Sequence, residues 1–139
     1  MVGVLEMSWL VLFSVLLLND APGSSEPLRV SIIELVANPE RFEGKQVVTM
    51  GYIDIRGDED QALFLHCDDL RNWVSANSVR IAVPDRLRPK VKRGQLVYLS
   101  GTFSMRDSKR WSRWPSGQIT DILVIDPVRA PREAACSVR

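Results

Sequence analysis

The chain has 139 residues, 45% hydrophobic and 25% charged, which fits one folded domain with a single core. The formal net charge is +1; leaving out the early acids Glu6, Asp20 and Glu26, all 18 basic residues face 14 acids, a balance of +4 that is too mild to imply nucleic acid by itself. Two cysteines, Cys67 and Cys136, exclude a disulfide-rich scaffold.

The N-terminus reads as an address. Residues 8–18, SWLVLFSVLLL, form an apolar run of eleven, short of the roughly 20 residues a membrane-spanning helix needs. A small, turn-forming segment follows, NDAPGSSEP, as in a secretory signal peptide and its cleavage region. No Lys or Arg precedes the run, and Glu6 stands there instead. The expected organisation is a signal peptide over 1–25, a linker over 26–29, a domain over 30–128 and a flexible tail over 129–139. Such a protein would be periplasmic or secreted, with no membrane span after cleavage.

The domain begins with a helix over 31–37. Ser31 and Glu34 have the spacing of a capping box. Ile32, Ile33, Leu35 and Val36 supply an apolar side, and Pro39 ends the helix at Asn38. A first strand covers 46–55, with Val47, Thr49, Gly51, Ile53 and Ile55 on one face at period two. After the acidic turn Asp58-Glu59-Asp60 comes an apolar second strand over 62–67. Residues 68–77 allow a helical turn or two capped by Asp68 or Asp69. A short third strand over 78–83 stops at Pro84, and a basic segment with Pro89 follows. The fourth strand spans 96–105 and the fifth 118–126, closed by Pro127. Residues 106–117 form a long polar loop with two tryptophans, Trp111 and Trp114.

Five strands with turns between them predict a mainly β fold, a small barrel or sandwich with few short helices. One phrase occurs twice, GKQVVTMGYI from Gly44 and GQLVYLSGTF from Gly94. Glycine inside a strand marks a bend, a bulge or a close approach. Gly51 and Gly101 are therefore read as features of barrel curvature, with Gly44 and Gly94 as turn residues.

The order of parts resembles the OB-fold modules of small exported bacterial proteins, distantly similar to anticodon-binding OB domains. The resemblance rests on Asn38, Pro39, Glu40, Phe42 and Gly44, on the pair Gly51-Tyr52, and on Gly101-Thr102-Phe103, and covers about 30–128. It implies a five-stranded OB-like barrel and export. It brings no catalytic residues, and it names no ligand, because OB barrels serve oligonucleotides, oligosaccharides and proteins alike.

His66-Cys67-Asp68-Asp69 is the one cluster that suggests metal or nucleophile chemistry. His66 is the only histidine, zinc requires three or four ligands, and adjacent strand residues point to opposite faces. No catalytic residue, metal or cofactor is therefore expected, and an enzyme using His66 and Cys67 is the least favoured reading. An oxidising compartment would allow one bridge between Cys67 and Cys136, against which stands the polar character of the tail.

The richest segment is RDSKRWSRW in the loop between the fourth and fifth strands. In OB barrels this loop commonly lines the ligand groove. Lys109, Arg110, Trp111, Arg113 and Trp114 are the candidate ligand-binding residues, with tryptophan faces for stacking and cations for the rim. Alternatively, both tryptophans pack on the barrel end. The acidic turn near the groove and the expected export both weigh against nucleic acid. The expected function is an exported, non-catalytic module contacting a protein or glycan in the cell envelope. Single-stranded nucleic-acid binding through 106–117 is the alternative.

Overall fold

Alternating inward and outward side chains, interrupted by glycine where strands must bend, produce a closed barrel. The computed structural model describes residues 25–105, 114, 116–129 and 136–138. The expected signal peptide lies almost wholly outside the described residues. The elements are β1 (Leu28–Arg29), α1 (Ile32–Ala37), β2 (Gln46–Ile55), β3 (Gln61–Phe64), α2 (Cys67–Arg71), β4 (Ser78–Ile81), β5 (Leu96–Ser104) and β6 (Gln118–Pro127). The sheet order is β1-β2-β3-β4-β6-β5, and β2 also pairs with β5, which closes the barrel. β4 and β6 run parallel, whereas the pairs β2–β3, β3–β4, β2–β5 and β5–β6 are antiparallel. This is the five-stranded OB barrel, with the two residues of β1 added parallel to Val47 and Val48.

The barrel core holds Val47, Ile53, Leu63, Val79, Ile81, Val97, Leu99, Phe103, Ile119 and Ile125, all fully buried. α1 closes it through Ile32 and Leu35, and the capping box is formed as expected. The Ser31 Oγ accepts from the Glu34 amide at 3.2 Å, and the Glu34 carboxylate accepts from the Ser31 amide at 2.8 Å. Ile33 turns to solvent instead of joining the apolar side.

The repeated phrase is indeed architectural. Gly51 pairs with Val97, and Val47 with Gly101, so the two glycines lie on the same pair of strands. A Cβ at Gly51 would stand 2.5 Å from Ile32 Cδ1 and 2.7 Å from the Phe64 carbonyl oxygen. One at Gly101 would stand 2.6 Å from the Thr120 carbonyl oxygen, and a register shift between Ser100 and Thr102 marks a bulge there.

Several boundaries depart from expectation. The second strand ends at Phe64, and Cys67 opens α2 rather than continuing the strand, because Asp69 turns back to accept from the His66 amide at 3.1 Å. The expected linker already contains β1. The expected flexible tail is in part fixed: Cys136 is buried, its amide donates to the Gly94 carbonyl at 2.8 Å, and it forms a disulfide with Cys67. The pairing that tail polarity argued against is therefore present, since the tail is tied down by backbone as well as sulfur.

Candidate functional site

A second hydrophobic cluster lies outside the barrel, on the outer face of β2 and β3. It consists of Ala62, Phe64, Leu70, Trp114 and Cys136, with Tyr52, Cys67, Trp73 and Val138 partly buried against them. Strand alternation explains the split: Leu63 points into the barrel, while Ala62 and Phe64 point out. In OB barrels the face of the second and third barrel strands, here β3 and β4, with the loops after the first and fourth, is where oligomeric ligands sit, and the cluster shares β3 with that face. Here those loops are 56–60 and 105–117.

Trp73 is the hinge of the cluster. Its ring centroid lies 5.2 Å from that of Phe64 and 6.4 Å from that of Trp114, the latter edge-on. The Arg56 guanidinium carbon sits over the same ring, 3.8 Å from its centroid. The backbone of Trp73 has a φ of 52°, in the left-handed region where a helix C-terminus normally places glycine. A bulky residue holds that conformation only where its surroundings over-determine it. Phe64 on the strand and Arg56 at the loop supply that constraint.

Arg56 is itself oriented from below. Asp54, on the outer face of β2, is fully buried and accepts from two guanidiniums: Arg56 Nε at 3.0 Å and Arg93 Nε at 2.8 Å. A buried carboxylate needs such partners, since an unpaired charge away from water is very costly. Both arginines remain partly exposed, at 44% and 33% of the side chain. The acidic turn beside them is largely engaged. Asp58 pairs with Arg88 at 2.6 Å, Arg88 also meets Asp85 at 3.3 Å, and the Asp60 carbonyl accepts from the Arg56 amide.

Of the residues the sequence singles out, Lys109, Arg110, Trp111 and Arg113 lie outside the described residues. Trp114 is 2% exposed and packs in the outer cluster, at the end of the loop. His66 and Cys67 begin α2, and Cys67 is committed to the disulfide, so the pair forms no nucleophile or metal site. Among the described residues no group of three or more His, Cys, Asp or Glu could hold a metal. Asp54, Arg56, Trp73 and Arg93 were not singled out by sequence reading. The one available signal was Asp54, a lone carboxylate inside an otherwise apolar strand.

Where β2 pairs with β5, Met50 and Tyr98 are cross-strand partners that stand 52% and 41% exposed. With Arg29, Val30 and Val48 they bound an open groove of about 670 Å³.

The topology defines an OB fold. No family model matches the chain, and no curated protein is significantly similar to it. Among solved structures, a chain of the S. pombe Stn1–Ten1 complex is similar with a TM-score of 0.51 and 12% identity, over 80% of this chain and 85% of that one. A structure of the telomere capping protein Ten1 from Saccharomyces pombe is similar with a TM-score of 0.49 and 11% identity, over 78% and 87%, a likeness too slight to weigh. At such identities the shared property is the fold.

The OB fold expected from the sequence stands. The expectation of an exported bacterial envelope module, periplasmic or secreted and held by a protein or glycan there, is overturned: a solved structure of similar fold belongs to the Stn1–Ten1 complex of S. pombe. The judgement against nucleic acid falls with it, and the acidic turn it relied on is in part paired, Asp58 with Arg88. The structural neighbour is a component of a complex.

Proposed function

We propose that the chain binds single-stranded nucleic acid across the outer face of β2 and β3. The observation that carries this reading is the partly exposed Trp73 with the Arg56 guanidinium over its ring, a platform packed from below on the buried Phe64 and Trp114. Such a surface combines apolar ring area with fixed positive charge, the two features that hold unpaired bases and their backbone. In this reading Trp114 anchors the end of the loop 105–117, and Lys109, Arg110, Trp111 and Arg113 extend the site as its rim. The structural neighbour, a chain of the Stn1–Ten1 complex, supports a role in a protein assembly over one in an envelope. The exposed Met50–Tyr98 strip favours a second, separate contact with a protein subunit.

The test is fluorescence anisotropy with a labelled mixed-sequence single strand, as DNA and as RNA, against the duplex of the same sequence. Saturable binding to the single strand is expected, weakening with salt by a log–log slope of about −0.7 for each phosphate contacted. Absence of saturable binding at low salt would refute the proposal.

A further inference from the structure

We infer that the Arg56–Asp54–Arg93 triad is a prebuilt phosphate site, taking one phosphodiester of the bound strand between its two guanidiniums. The inference rests on the proposed single-strand function and names the contact that fixes the backbone.

Three observations converge on it. First, each guanidinium reaches Asp54 through Nε alone, at 3.0 Å for Arg56 and 2.8 Å for Arg93, and among the described residues no acceptor meets their terminal Nη groups. Those groups carry the paired N–H donors that match phosphate oxygens. Second, one carboxylate against two guanidiniums leaves a net charge of +1 over a buried anion. Asp54 thus orients the two cations without cancelling them. Third, the Arg56 side chain is held in place: its guanidinium carbon sits 3.8 Å from the Trp73 ring centroid, and Trp73 packs against Phe64 with its backbone in the left-handed region. Little side-chain freedom is left to lose on binding, which is where long cationic side chains usually forfeit affinity.

A purely structural triad would need none of this exposure. Two arginines serving only to neutralise Asp54 would be favoured where their remaining donors are also bonded, because unpaired donors near a buried charge add nothing to stability. Arg56 and Arg93 instead stay 44% and 33% exposed at the mouth of the 56–60 loop, beside the face proposed to take the strand.

The experiment compares wild type, Arg93→Gln and Arg93→Lys, with Lys45→Gln as a control at the far end of β2. The probes are a labelled mixed-sequence single-stranded DNA and, separately, inorganic pyrophosphate read by tryptophan fluorescence. Circular dichroism confirms that each variant folds, and Arg93→Lys, which keeps a cation near Asp54, serves if Arg93→Gln does not. The expected result is single-strand affinity about tenfold weaker in either Arg93 variant, with the salt slope reduced by about 0.7 in Arg93→Gln, one phosphate contact on a single strand. Pyrophosphate should perturb the wild type and not Arg93→Gln, and Lys45→Gln should behave as wild type. Strand binding that is unchanged in affinity and salt slope by both Arg93 variants overturns the phosphate site and leaves the single-strand function standing. Pyrophosphate binding that depends on Arg93, with no strand binding, overturns the function and keeps the site. No response to either probe overturns both.

Discussion

Trp114→Ala separates a structural tryptophan from a ligand anchor. Trp114 is 2% exposed and packs edge-on to Trp73 in the cluster that covers β3. Truncating a buried tryptophan to alanine costs about 3–5 kcal/mol, and an edge-to-face ring pair adds about 0.5–1.5 kcal/mol. One term opposes these. The indole Nε1 is buried with no hydrogen-bond partner among the described residues, and removing it returns about 1–3 kcal/mol of desolvation. The cluster also lies outside the barrel, where its neighbours can close part of the gap. The net expectation is a loss of about 3 kcal/mol, which for a domain near 100 residues lowers the melting temperature by about 12–20 °C. Thermal unfolding of the oxidised protein, followed by circular dichroism, measures this. A melting temperature within about 3 °C of wild type, well under 1 kcal/mol, would show that Trp114 is not part of a core, and the outer cluster would lose its anchor.

Gly51→Val should destabilise by more than about 1 kcal/mol in urea, because the new side chain meets the Phe64 carbonyl, which is backbone and cannot swing away; a wild-type midpoint would count against the crowding. The double variant Cys67→Ala, Cys136→Ala opens a loop with a sequence separation of 69 and should lose about 2–4 kcal/mol of stability, measured by the same unfolding curves. The backbone hydrogen bond from Ser31, and then its side chain, hold the Glu34 carboxyl below its ordinary 4.5. That contribution is present above pH 4.5 and is lost as pH falls through the lower folded value. An NMR titration should find the Glu34 midpoint below 4.5, and Glu34→Gln should remove this part of the acid sensitivity; a midpoint at or above 4.5 would contradict the formed capping box.

What the sequence showed and what it hid follow from range. The capping box at Ser31 and Glu34 is a three-residue contact, and the alternation through β2 is local, so both could be read directly. The glycine repeat was legible because the same close approach recurs on two paired strands. The outer cluster was not. It joins Phe64, Trp73, Trp114 and Cys136 from four separate segments, and no local pattern announces that a second layer covers a strand already buried on its inner side. The same blindness extended the second strand through Cys67: an apolar run does not reveal where Asp69 will cap a helix. Asp54 alternates to the outer face, where strand period alone gives no sign of burial. Its burial depends on Arg93, 39 positions away. The two tryptophans of the loop looked alike in sequence, yet only packing could assign Trp114 to the fold.

The central claim is that a single strand lies across the outer face of β2 and β3. Chemical-shift mapping of the labelled protein with an unlabelled mixed-sequence single-stranded DNA tests it most directly. The account predicts that shifts concentrate at Arg56, the Trp73 indole, Arg93 and residues 105–117, while Met50 and Tyr98, where β2 pairs with β5, stay unmoved. Shifts confined to Met50, Tyr98 and Arg29, with the Trp73 indole unchanged, would contradict it.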